Sequence, residues 1–454
     1  MSDIDFILER LETQGERPAL FWRGDAYDGT WVAAQVRQAI AMLSAQGVSA
    51  GSVVLLCSDY SPCSVSLLLA LVDARTIVAP LLPATVSKNP SLRALVDPDF
   101  EINGNSQGGL AVTHRETSAA HALIQTLQTS GRPGLILFTS GSTGQPKGVV
   151  HDFGRLLTKF VKRRPALRTL NFLLFDHWGG LNTLLHCLSN GSPVVLPEER
   201  TPHHICSLLE RHRVELLPAS PTFLNMLLLS KAYEGHDLSA LRLITYGSEP
   251  MPNSTLAGLR AAFPNVELRQ TYGLIELGVL RAKSLSSDSL WVKVGGEGYE
   301  LRIVDGILQI KAESAMLGYL NAPSPFTEDG FFITGDRVEL NGEYIRFLGR
   351  ESELINVGGQ KVFPAEVEAT LLECELVQEA VVYGQRHPIT GKIVCADVQI
   401  RGSVDESEAR RIIKRFCAQR LEPFKVPVKI QFVQGGLYSD RLKRLRAGRG
   451  AADD

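Results

Sequence analysis

Residues 139–148 read Thr-Ser-Gly-Ser-Thr-Gly-Gln-Pro-Lys-Gly and follow directly on an apolar run at 135–138. Four hydroxyls, those of Thr139, Ser140, Ser142 and Thr143, together with exposed backbone N–H groups, can hydrogen-bond phosphate oxygens. Lys147 adds a point charge suited to a polyphosphate. Gly141, Gly144 and Gly148 allow tight curvature and positive φ. The run is not a Walker A loop, because Pro146 stands where that loop has the glycine before its lysine. A Ser/Gly-rich surface turn is the competing reading. The position straight after a strand, and the Pro-Lys-Gly ending, favour phosphate binding.

Further segments follow in order: Gln270-Thr-Tyr-Gly-Leu-Ile-Glu276; Gly318-Tyr-Leu-Asn321 with Phe331-Phe-Ile-Thr-Gly-Asp336; Gly349-Arg350 leading to residues 358–368 (Gly-Gly-Gln-Lys-Val-Phe-Pro-Ala-Glu-Val-Glu); and residues 421–427 (Leu-Glu-Pro-Phe-Lys-Val-Pro). With the 139–148 loop, these resemble the motifs of the adenylate-forming superfamily over nearly the whole chain. That superfamily comprises acyl-CoA and aryl-CoA synthetases, the adenylation domains of peptide synthetases, and beetle luciferases. Ordered matches are highly specific where any one alone would be modest. The resemblance implies an α/β fold. A large N-terminal lobe, residues 1–350, would carry α/β sheets, a small β region, and the ATP and acyl sites. A small, mobile α+β domain, residues 351–454, would follow.

The implied reaction is attack of a carboxylate on the α-phosphorus of ATP, giving an acyl-AMP and pyrophosphate. A thiol of CoA, or of a carrier protein's phosphopantetheine, would then take the acyl group. Charge builds on phosphate oxygens in the first step, so a metal and cations must absorb it. By resemblance, Thr139, Ser140, Gly141, Ser142, Thr143, Gly144 and Lys147 hold phosphates. Glu276 is the Mg²⁺ ligand, a hard oxygen donor for a hard cation. Gln270, Thr271, Tyr272 and Gly273 form the adenine segment, Tyr272 offering a flat face. Asp336 accepts the ribose hydroxyls, and Arg350 reaches the ribose or phosphate. His177 gates the carboxylate site. Trp178, Gly179 and Gly180 shape the acyl pocket together with Gly247, Ser248, Glu249 and Pro250. Gly358 and Gly359 would meet the pantetheine tunnel when the small domain rotates. Asp176 has two readings: an ammonium-binding acid, as in amino-acid-activating relatives, or a cap or ion-pair partner.

Three departures from the family pattern stand out. Ile275 replaces the threonine before the metal-binding glutamate. Ser352 replaces the usual Asp or Lys at the hinge, two residues after Arg350. The terminal Gly-Lys pair is absent: counting forward from Pro427 puts the catalytic lysine on Lys443, preceded by Leu442 and trailed by Arg446. A two-residue shift would put Arg441 there instead. Besides the acid–thiol ligase, two further readings stay open: a free-standing amino-acid adenylation enzyme, and an impaired nucleotide-binding descendant, which Ile275 and Leu442 would suit.

The elements that must position these residues alternate. Helical spacing at 33–46 and 64–72 intervenes among short apolar runs at 52–57, 76–82, 135–138, 193–196, 215–218 and 241–246. This is the pattern of βαβ units and a mainly parallel sheet, which binds ligands beyond its strands' carboxyl ends. Beyond about residue 292, alternating strands at 299–304, 307–312 and 344–348, with turns at Asp305-Gly306 and Asn341-Gly342, predict hairpins. Helix, strand and helix follow at 365–374, 379–384 and 406–420.

The chain has 454 residues, 44% of them hydrophobic, so it can bury a large core. Its 47 basic and 49 acidic side chains give a net charge of −2, which argues against nucleic-acid binding through bulk charge. Seven cysteines without a CxxC pair suit a reducing, cytoplasmic setting. No apolar h-region opens the sequence, so no signal peptide is expected. The longest apolar stretch, 66–83, is broken by Asp73 and Arg75 and predicts a buried helix entering a strand rather than a membrane span.

Overall fold

The computed structural model describes residues 3–104, 110–115, 120–139, 146–402, 404–435, 437–438 and 446. Two seven-stranded sheets build the large part of the chain. In the first, Glu267–Gln270, Leu243–Tyr246, Leu216–Ala219, Thr169–Leu170, Val194–Leu196 and Pro18–Trp22 run parallel, with Asp25–Asp28 antiparallel at the edge. Among the intervening helices, Thr201 caps Pro202–Arg211 and Ser220 caps Pro221–Ser230, whereas Asn253–Ala262 starts after Pro252 without a side-chain cap. Each cap satisfies an N–H that the first helical turn leaves unpaired.

The second sheet is mixed. Phe100–Gly104, Val53–Cys57, Ile77–Leu81 and Gly134–Thr139 run parallel, while Leu110–His114, Lys147–Asp152 and Gly318–Tyr319 are antiparallel to their neighbours. The sequence expectation of a mainly parallel arrangement therefore holds for the first sheet only. The apolar stretch at 66–83 is the helix Pro62–Asp73, opened by a Ser61/Ser64 capping box, and the strand Ile77–Leu81, buried throughout. Its burial on all sides explains the unbroken apolar run. Among the described residues, no helix is long and apolar enough to cross a membrane.

A six-stranded antiparallel sheet follows, in the order Arg281–Ser284, Val292–Gly295, Tyr344–Arg350, Phe332–Asn341, Ile307–Ala312, Tyr299–Val304. Its tightest hairpin turns at Asp305 and Gly306, both at positive φ (50° and 77°), the geometry that matches strand twist. The last sheet joins Gln360–Val362, Ile355–Val357, Gly391–Ile400, Val377–His387 and Lys429–Phe432. With helices Pro364–Leu372 and Glu406–Ala418 it closes a hydrophobic core of its own, from Ile355 to Ile430. All seven cysteines are free thiols.

Candidate active site

The loop that opens the site is a hairpin tip. Strand Gly134–Thr139 pairs antiparallel with Lys147–Asp152, and Thr139 lies opposite Lys147. The sequence reading missed this second strand, so the loop is held by a ladder on both sides rather than leading into a helix. Ser140, Gly141, Ser142, Thr143 and Gly144 lie outside the described residues. Gly148 corrects one expectation. It is not among the positive-φ glycines; instead a Cβ there would come within 2.9 Å of Leu320 Cδ1. Close packing, not backbone curvature, demands that glycine.

What packs there is the Gly318–Asn321 segment. Asn321 Nδ2 donates to Pro146 O (2.9 Å) and its Oδ1 accepts from Gly148 N (3.0 Å). Leu320 N donates to Gly148 O (2.8 Å). One residue earlier, the Tyr319 ring lies 5.3 Å from Lys147 Nζ, and its hydroxyl donates to Glu276 Oε1 (2.7 Å). Three sequence motifs thus meet at Tyr319. Asn321 and Tyr319 stood inside a recognised motif, but nothing in one sequence showed what they touch.

Glu276 is fixed from behind as well. Its carbonyl accepts from Met316 N (2.7 Å), and the carbonyl of Ile275 bonds His151 Nε2 (2.7 Å). Burial holds the His151 imidazole down to about 4, against that hydrogen bond. The ring is therefore neutral at pH 7, and Nε2 carries the proton that Ile275 receives. Sequence reasoning missed His151, which sits two residues beyond Val149 in an otherwise unremarked strand.

Asp336 and Arg350 are opposite one another across the antiparallel pair Phe332–Asn341 and Tyr344–Arg350. Arg350 Nε lies 3.2 Å from Asp336 Oδ1, and Tyr272 Oη donates to Oδ2 (2.7 Å). Burial raises the Asp336 carboxyl above its ordinary value, while Arg350 and Tyr272 pull it back. Arg350 is within electrostatic reach of both Asp336 and Glu276. Tyr272 is more enclosed than a free adenine platform. One face stacks on Phe347 (4.4 Å, 18°), and only 8% of it is exposed. Gln270 is buried, and its Oε1 has no hydrogen-bond partner among the described residues.

Strands Leu243–Tyr246 and Glu267–Gln270 are parallel and end side by side. The segments expected in the cleft, Gly247 to Glu249 and Thr271 to Gly273, come straight after their carboxyl ends, the ligand-binding edge of such a sheet. A Cβ on Gly247 would meet Thr271 O at 2.7 Å, and one on Gly273 would meet Gly278 O at 2.8 Å. Ser248 is held at φ +72°, and Glu249 accepts from Thr222 Oγ1 (2.6 Å).

His177 caps the helix Trp178–Asn190, its Nδ1 accepting from Gly179 N (3.1 Å). Trp178 is buried, and Gly180 is required because a Cβ would lie 2.2 Å from Leu174 O. Asp176 is fully buried and accepts from Thr85 Oγ1 (2.8 Å). This is the structural partner role of its two readings.

Lys443, Arg441 and Leu442 lie outside the described residues. Arg446 does not. It pairs with Glu353 (2.8 Å) and, twice, with Glu368 (2.9 and 2.6 Å).

Lys147, the half-buried Glu276 linked to it through Tyr319, and the Asp336–Arg350 pair in electrostatic reach thus bring two cations and two carboxylates together. The AMP-binding enzyme family matches residues 99–315, and the AMP-binding enzyme C-terminal domain matches residues 366–439. A 2-succinylbenzoate–CoA ligase of Bacillus velezensis is 32% identical over 69% of this chain and 69% of its own length. A 4-coumarate–CoA ligase of Oryza sativa subsp. japonica is 27% identical over 94% of this chain and 90% of its own. The solved structure of an anthranilate CoA ligase in complex with anthranoyl-AMP superposes with a TM-score of 0.82 at 20% identity, covering 98% of this chain and 95% of that one. The chain belongs to the AMP-binding enzymes of the adenylate-forming superfamily.

Proposed function

We propose that the chain activates a small carboxylic acid with ATP and passes the acyl group to the thiol of coenzyme A. The carboxylate oxygen bonds to the α-phosphorus as the bond to pyrophosphate breaks. The thiol sulfur then bonds to the acyl carbon as AMP leaves and the thiol proton is released. The observation that carries this reading is Tyr319, which joins the base of the phosphate loop to Glu276 through Lys147 on one side and a 2.7 Å hydrogen bond on the other.

In this reading Lys147 and the 139–144 loop hold the β- and γ-phosphates, Asp336 with Arg350 takes the ribose, and Gln270 with Tyr272 takes the base. Glu276 suits Mg²⁺, a hard cation that needs one or two carboxylates and completes its shell with phosphate oxygens and water; Tyr319 occupies one of its oxygens and leaves the other for the ion. That ion would supply charge neutralisation on the departing pyrophosphate. His177 stands beside the acyl carboxylate, and Lys443 bridges it to the α-phosphate. Residues 1–350 form the catalytic lobe and 351–454 the unit that rotates, in a cytoplasmic setting. The Thr85 bond to Asp176 weighs against an amino-acid substrate, since that carboxylate serves the fold.

Purified protein with ATP, Mg²⁺, CoA and a panel of carboxylic acids should release pyrophosphate and AMP and form an acyl-CoA. Replacing CoA with a phosphopantetheinylated carrier protein tests the acceptor. ATP binding without pyrophosphate release for any acid would sink the reading and leave a nucleotide-binding protein.

A further inference from the structure

The indole of Trp178 is 2% exposed, yet its Nε1–H has no hydrogen-bond partner among the described residues. Buried indole N–H groups almost always find one. Nε1 lies beside Gly278, two residues after Glu276. A methyl group placed on Gly278 would touch Trp178 Nε1 at 3.5 Å, Ser314 Oγ at 3.6 Å and Tyr299 Oη at 3.6 Å, with nothing nearer. The two hydroxyls are already committed. Ser314 donates to Leu277 O (2.7 Å), so Tyr299 donates to Ser314 across their 3.1 Å contact. Trp178 is thus the one open donor of the three.

Lys159 flanks the same indole, its Nζ 5.9 Å from the ring centroid and 3.3 Å from Val279 O. No carboxylate lies within ion-pair distance of it among the described residues, and its charged neighbours, His186 and Arg164, are basic groups. Burial holds this ammonium down to about 7, and Arg164 pushes the same way. A half-buried cation without a carboxylate beside it gains from an anion that supplies one.

We propose that the substrate acid carries a second oxygen acceptor, remote from the carboxylate being activated, which Trp178 Nε1–H and Lys159 Nζ receive beside Gly278. A carboxylate meets both the donor and the uncompensated charge; a neutral carbonyl meets the donor alone. This deepens, and rests on, the reading of the chain as an acid-activating ligase. In this proposal the cradle belongs to the acyl end of the cleft, where the expected roles of His177 and Glu276, neighbours of Trp178 and Gly278 in the chain, would put it.

The test compares pentanoate, 4-oxopentanoate and glutarate in pyrophosphate release by the full-length protein. Glutarate should exceed 4-oxopentanoate, and both should exceed pentanoate in kcat/KM, glutarate by at least about tenfold. Trp178→Phe removes the N–H and keeps the shape; Lys159→Met removes the charge and keeps the length. Each should lower kcat/KM for glutarate, mainly through KM, at least fivefold more than for pentanoate. Lys159→Met should also abolish the advantage of glutarate over 4-oxopentanoate. Pentanoate used as well as the other two, or variants that lower all three acids alike, would overturn the proposal while the ligase reading stands. No release with any acid would remove the ligase reading and the proposal together. Circular dichroism and melting of each variant separate a lost preference from a lost fold.

Discussion

Two arginine–carboxylate pairs flank the 351–354 segment, and they are built to opposite ends. Asp336 meets Arg350 through a single 3.2 Å contact, and the arginine side chain is 51% exposed. Glu368 is wholly buried, takes two bonds from Arg446, and accepts a third from Val382 N (2.9 Å). Arg446 gives a third bond to Glu353, and although burial opposes its charge, the two glutamates hold it above its ordinary value. The first pair keeps lone pairs and solvent access that a ribose can use. The second is closed in, with its glutamate wholly buried and its arginine side chain only 16% exposed. What it does is fasten the chain three residues after Lys443 to the start of the small unit. Under the proposed function, similar chemistry serves recognition in one place and positioning in the other, and burial tells them apart.

Breaking the buried pair should have the largest effect. Arg446→Ala leaves Glu368 charged and uncompensated in the interior, at a cost of about 3–5 kcal/mol. Chemical unfolding should show this loss, and a change under about 1 kcal/mol would erase the contrast between the pairs. His151 offers a second buried lock with a pH signature. Its folded pKa is depressed, so its contribution is present above the ordinary value near 6.5 and lost as pH falls toward about 4. At about 1.36 kcal/mol per pH unit the loss approaches about 3 kcal/mol, and urea titrations of His151→Gln across that window should be flatter by that amount. On the ligand-facing side, Asp336→Asn should cut kcat/KM for ATP about 100-fold, as lost charged hydrogen bonds predict, with stability changed by less than about 1 kcal/mol. The smallest effect belongs to Tyr319→Phe, which keeps the ring near Lys147 and removes the hydroxyl from Glu276. About a fivefold loss in kcat/KM is expected, together with a higher Mg²⁺ requirement in the steady-state assay.

The contrast also explains what could be read beforehand. Apolar runs bounded by Gly and Pro marked Val53–Cys57, Ile77–Leu81 and Leu243–Tyr246, because strands buried on both faces admit little else. Strand Lys147–Asp152 escaped notice. Its sequence, KGVVHD, has polar ends, and the buried His151 and Asp152 break the apolar pattern. Asp336 and Glu276 were legible because their motifs carry them. The partners of Arg446, 78 and 93 residues away, follow no local spacing and needed the fold. Trp178 could be placed near the acyl site, but its Nε1 lies beside Gly278, a hundred residues further on.

The crowded glycines leave a last consequence. At positions 180, 247 and 273 a single added carbon would collide with peptide oxygens at 2.2–2.8 Å, so those parts of the cleft are bare main chain that no substitution can remodel. Under the proposal above, retuning toward other acids is thereby left to side chains such as Trp178 and Lys159 rather than to these glycines.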